Sequence, residues 1–157
     1  MRPQASLSTV FALPLAVLLS ATGVAAQNPH VGHVADRFGD TPEQQGLLPT
    51  AVAEARVAAQ HAGFAARDLS NLDAMKLHAG HVLHAVDPTQ VDKGPGLGYG
   101  LEKAAAGVAR HIELAAQVDG AEQAIKTHSV HIAQSARNTV ERAKRLAELA
   151  AKIRAAN

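Results

Sequence analysis

The sequence predicts an all-α protein, an antiparallel four-helix bundle built from two duplicated αα-hairpins with an irregular N-terminal arm in front. Three observations lead there. From residue 50 onward the chain is rich in Ala, Leu, Glu, Lys and Arg and has few β-branched runs, the composition of helices. Turn residues cluster at 87–100 and at Asp119-Gly120, where they divide the helical sequence. Sliding the chain by 50 residues superposes His61 on His111, His78 on His128 and His81 on His131.

Each element follows in order. Residues 1–26 carry the three parts of a secretory signal: Arg2 as basic region, an apolar run over 7–19, and the small residues Val24, Ala25 and Ala26 as cleavage site. Pro14 interrupts the apolar run, which is shorter than the roughly 20 residues a membrane span needs. The expectation is an exported protein, periplasmic or secreted. Residues 27–49, with Pro29, Gly32, Gly39, Pro42, Gly46 and Pro49, read as an irregular arm. The first helix is predicted over 50–68, with Thr50 as N-cap after Pro49. The second starts near Ser70 or Asn71 and stops before Asp87-Pro88. A linker over 88–100 joins the halves, a third helix covers 101–118 and a fourth runs from 121 toward 155. The repeat halves are thus about 50–87 and 101–137, within a bundle domain of 50–157.

Composition excludes several chemistries. There are nine histidines and no cysteine in 157 residues, so disulfides, cysteine-bound zinc, iron–sulfur clusters and thiol nucleophiles are ruled out. Without Arg2 the chain carries 14 basic and 14 acidic residues, a balance that gives no reason to expect nucleic acid or an anionic membrane as partner. The glycine-rich stretch 94–100 follows no strand and lacks the spacing of a phosphate-binding loop, so it reads as a linker.

The histidines are organised. Each half reads H-x16-H-x2-H. His61 lies as far before the first predicted turn as His78 lies after it, so antiparallel helices bring the two to one level. His78 and His81, like His128 and His131, are i, i+3 neighbours on one helix face. Their flanking residues at helical spacing are apolar: Val57, Phe64, Ala74, Met75 and Val82 in one half, Val108, Leu114, Ala124, Ile125 and Ile132 in the other. His61, His78, His81, His111, His128 and His131 are therefore expected in one core layer, as metal ligands. A face of Ala, Val, Ile and Leu offers a buried imidazole no hydrogen-bond partner, and an unpaired polar group costs about 1–3 kcal/mol. A metal ion taking the lone pairs relieves that cost.

All-imidazole ligation suits Cu(II) or Zn(II), with Ni or Fe as further candidates, and the absence of a Glu-x-x-His motif on the inward faces disfavours a carboxylate-bridged di-iron centre. His84, His30 and His33 stand outside the repeat and read first as solvated, with metal ligation as the second reading. The acids Asp36, Asp40 and Glu43 read as solvated.

The segment Lys76-Leu77-His78-Ala79-Gly80-His81-Val82-Leu83-His84-Ala85, set among Ala-rich helices behind a signal sequence, resembles the small histidine-rich periplasmic metal-binding proteins that form four-helix bundles. The resemblance implies uptake of several divalent ions, copper among them, for storage, delivery or tolerance, and no catalysis. Two alternatives stand beside it. Three histidines per ion, doubled in a bundle, is similar to coupled dicopper oxygen-binding proteins, and a three-histidine zinc could activate water. A b-type haem held by two opposing histidines is the third reading. The fourth helix extends well past His131, and Val140, Leu146, Leu149 and Ile153 need cover from the N-terminal arm or from a second subunit in a homodimer.

Overall fold

A computed structural model describes residues 28–157; the predicted signal sequence lies outside them. Among the described residues there are five α-helices, two short 3₁₀ turns and no β-strand. The all-helical reading holds, in a form compatible with a helical bundle.

The arm is more ordered than its Pro and Gly content suggested. Helix α1 occupies Pro29–Ala35. Asn28 caps it by accepting the His30 N–H at 3.1 Å, and Pro29 takes the first helical position, where its missing N–H costs nothing. Helix α2 covers Leu47–Ala65, three residues earlier than predicted. Pro49 falls inside its first turn, where no intrahelical bond is asked of it. Thr50, expected as the cap, is buried and donates its hydroxyl back to Gly46 O at 2.9 Å.

Helix α3 spans Leu72–Val86, capped by Asn71, which accepts the Ala74 N–H. It ends where Asp87 precedes Pro88. Helix α4 covers Leu101–Gln117 and α5 the 33 residues Gln123–Ala155, about 50 Å of helix.

Helix α2 packs on α3 and α4, and α5 packs on the same two, with α1 lying against α4 and, less extensively, α2. Alanines such as Ala58, Ala79, Ala104, Ala115 and Ala133 are essentially fully buried and let the helices approach closely. Leu47, Leu83 and Val86 supply the bulk; burying each is worth about 1.5–3 kcal/mol. The approach of α2 to α4 is close enough that a Cβ on Gly107 would lie 2.8 Å from Leu47 Cδ2.

The long end of α5 packs in part against the rest of the chain, with Leu146 and Ile153 partly buried and Leu149 44% exposed. Ala62, Ala65, Met75, Ala79 and Val82 of α2 and α3 form a groove with Leu146, Ala150 and Ile153. Helix α3 lies along the part of α5 that the sequence left without a neighbour.

Candidate metal centres

The fully buried Glu54 of α2 sets the frame for the histidines. Its carboxylate accepts the backbone N–H groups of Leu97 (3.2 Å), Tyr99 (2.9 Å) and Gly100 (3.0 Å), just ahead of the first turn of α4. Residue 54 is thus level with 100, and Leu47 is level with Gly107, so α2 and α4 run in opposite directions. His61 lies beyond one end of that contact and His111 beyond the other. At about 1.5 Å per residue the two are separated along the axis by on the order of 25 Å.

The six histidines of the predicted layer therefore do not meet in one place. Two separate triads form instead, each with its ligating atoms mutually within 4.8 Å. In the first, His61 of α2 faces His78 and His81 of α3. The Nδ1–Nδ1 separations are 3.0 Å from His61 to His78 and 3.2 Å from His61 to His81. In the second, His111 of α4 faces His30 and His33 of α1 at 3.1 and 3.2 Å, again between Nδ1 atoms. The design is the same twice: a single apex histidine on one helix and an i, i+3 pair on another. His30 and His33, read from sequence as solvated, are half-buried members of a triad.

His128 and His131 belong to neither triad and are exposed. The inward face of α5 is the row Ser129, Ala133, Ala136, Ala143, Ala147 and Ala150, whereas Ile132, taken as a marker of the inward face, is 40% exposed. In a helix this rich in alanine the apolar neighbours of a histidine do not fix its direction. His84 is buried, but its Nδ1 lies 3.1 Å from Pro95 O and so pins the linker to α3.

An aromatic ring flanks each triad. Phe64 packs edge-on against His61 with ring centroids 5.3 Å apart, and against His78 at 5.2 Å. Phe38 does the same for His33 at 5.3 Å and His111 at 5.0 Å. Each phenyl ring contacts the apex and one of the paired imidazoles, which restricts how those rings can turn.

Charge within each triad is all imidazole; of the acids near the second triad in sequence, Glu113 pairs with Arg137, and Asp40 is engaged by Lys103 and Tyr99. Burial, with the neighbouring imidazoles adding to it, holds His61, His81 and His111 below the usual histidine range. The rings are thereby biased toward the neutral, ligating form. Three converging neutral rings are poorly satisfied by themselves. A proton on the apex Nδ1 can at best be shared between two acceptors in bent hydrogen bonds, and a second proton in the cluster sets N–H against N–H. A cation accepts all three lone pairs. With metal–nitrogen bonds of about 2.0–2.1 Å, ligands at tetrahedral to octahedral angles stand about 2.9–3.4 Å apart, a range that contains both apex separations of each triad, the third lying within 4.8 Å.

A signal for the second triad is present in the sequence. His30-Val31-Gly32-His33-Val34 and His78-Ala79-Gly80-His81-Val82 share the pattern His-x-Gly-His-Val. That pairing relates α1 to α3, whereas the 50-residue shift relates α3 to α5.

No protein-family model matches the chain, and no curated protein and no solved structure is significantly similar to it.

Proposed function

We propose that this chain is a metal-binding protein that takes two divalent transition-metal ions, Cu(II) or Zn(II), one in each histidine triad. One observation carries the reading: twice, on different helix pairs, an apex histidine stands 3.0–3.2 Å from both members of an i, i+3 pair, all three ligating atoms lying within 4.8 Å, with no acid or backbone partner among the described residues. Three protein ligands leave further coordination positions for water or an incoming ligand, which suits storage or handover better than a closed structural site. The signal-like N-terminus and the absence of cysteine support a place outside the cytoplasm, where metal would be met in exchangeable form. The helices would form an antiparallel four-helix bundle with α1 as an added element.

The coupled dinuclear reading finds little support. Metal ions acting together sit about 3.5–4 Å apart, and the triads lie far beyond that. Haem held by opposed imidazoles needs their nitrogens about 4 Å apart, twice a bond of about 2 Å, with the macrocycle between them; nitrogens 3.0–3.2 Å apart leave no room for it.

Calorimetric titration of the metal-free protein with Zn(II) or Cu(II) tests the proposal. Two ions per chain are expected, reduced to one by either His61→Ala or His111→Ala. An absence of binding, or unchanged stoichiometry in both variants, would overturn it.

A further inference from the structure

The two triads rest on unequal supports. His61, His78 and His81 sit on helices of 19 and 15 residues that pack on each other and on the rest of the core. The other triad takes two of its three histidines from α1, which has seven residues and buries only Val34, with Val31 partly covered. A helix this short has no stability by itself. The remaining ties of this segment to the bundle are few. Asn28 Nδ2 donates to Ala115 O at 2.7 Å, Phe38 leans on His33 and His111, and Asp40 accepts the Tyr99 hydroxyl at 3.0 Å. Lys103 reaches Asp40 at 2.9 Å, but both partners are more than half exposed, and such pairs add little. His111 Nδ1 stands 3.1 and 3.2 Å from the Nδ1 atoms of His30 and His33, and without a cation the most that can join the three rings is one proton shared from His111.

We infer that a metal ion in the His30, His33 and His111 triad is the latch that fastens residues 28–45 onto α4. With the ion bound the segment is docked; with the ion removed it detaches while α2 to α5 stay folded. The inference rests on the proposed reading of the triads as metal sites. The two sites then differ in role. The α2–α3 triad takes metal without rearrangement, whereas the α1–α4 triad converts metal occupancy into a change of shape that uncovers the α4 surface around His111 and Ala115.

Hydrogen–deuterium exchange on the purified protein at neutral pH, with Zn(II) or with excess chelator, tests it alongside a calorimetric count of bound ions. Backbone amides of 30–38 should exchange at least about tenfold faster without zinc, while those of α5 between 133 and 150 stay within about twofold. The double variant His78→Ala with His81→Ala should keep the zinc-dependent protection of 30–38, and His30→Ala with His33→Ala should show fast exchange there with or without zinc. Tyr99, the single tyrosine in a chain without tryptophan, should change its fluorescence in parallel, since Asp40 leaves it on release. Two zinc ions bound with equal protection of 30–38 in both conditions would overturn the latch and leave the metal sites standing. No zinc bound at all would overturn both.

Discussion

Glu54 Oε1 accepts the Gly100 N–H at 3.0 Å, a buried contact between the middle of α2 and the residue that opens α4. The same carboxylate takes Leu97 and Tyr99 N–H groups, so three backbone donors converge on one side chain. Gly100 has φ 90° and Gly96 has φ 114°, conformations that let the chain fold around the carboxylate. A Cβ on Gly96 would stand 2.4 Å from Glu54 Oε2. The contact holds α4, and with it His111, in register against α2.

Glu54→Ala is expected to cost about 3–5 kcal/mol, because it leaves several buried N–H groups without acceptors as well as opening a cavity. Glu54→Gln should cost less, since the amide oxygen can keep part of the set. Urea unfolding of the metal-free proteins checks both. A loss below about 1 kcal/mol for the alanine variant would show that the linker finds its acceptors elsewhere.

Binding stoichiometry separates the observed histidine arrangement from the one the repeat suggested. His128→Ala with His131→Ala should leave two ions bound per chain and little change in affinity, because both side chains are exposed and outside the triads. His61→Ala should remove one ion by deleting the apex of its triad. At zinc concentrations about 100-fold above the dissociation constant, each intact site should add about 2.7 kcal/mol of apparent stability. Thermal unfolding with and without zinc reads this as two increments in the parent protein and one in His61→Ala.

The α2–α3 triad was legible because its information is local. Two helices joined by a short turn, with histidines at similar distances from it and an i, i+3 pair on one of them, leave little freedom. Helix α1 was not legible for the opposite reason. Seven residues containing Pro29 and Gly32, with one buried side chain, carry no measurable period, and the segment is helical because Asn28 caps it and α4 receives it. His111 falls in a histidine triad, but with His30 and His33 rather than with the partners the repeat suggests. On α5 the buried row is mostly alanine, so Ile132, an apolar neighbour of His128, marks a face that points outward although Ile125 packs against the core. The 50-residue shift therefore aligns the two apex residues, His61 and His111, but matches the α3 pair to His128 and His131, which lie in neither triad.

Acid should weaken the metal-free fold. Burial, reinforced by neighbouring imidazoles, holds His61, His81 and His111 below the ordinary histidine value near 6.5. Between those lowered values and 6.5 the unfolded chain binds more protons than the folded one, so stability is fully present above about pH 6.5 and is lost as pH falls through the folded values. Urea midpoints measured from pH 7.5 to pH 5 should fall steadily, and the fall should shrink in His61→Ala with His111→Ala. Zinc-loaded protein should show a steeper decline, because protons also compete for the three lone pairs of each site. A midpoint that stays level from pH 7.5 to 5 would contradict the assignment of these rings as neutral in the fold.

Gly46 offers a way to perturb one triad without touching a histidine. It lies against the end of α1, where an added Cβ would meet Ala35 C at 2.6 Å, Val34 O at 2.7 Å and Ala35 O at 2.8 Å. These are backbone atoms, so no side-chain rotation relieves the clash, although the Gly46 backbone itself, at φ −62° and ψ 159°, suits any residue. Gly46→Ala must push α1 away from the start of α2 and carry His30 and His33 with it. A displacement of even 1 Å spoils a three-nitrogen set whose spacing tolerates only a few tenths of an ångström. The expected result is roughly tenfold or greater weakening of one of two zinc sites, with the other unchanged. Fluorescence of Tyr99 should shift toward the metal-free value even in excess zinc, since Asp40 travels with the same segment. Adding His61→Ala to Gly46→Ala should then abolish tight binding altogether, whereas adding His111→Ala should leave the α2–α3 site intact; equal effects of the two additions would mean that Gly46 does not act through α1.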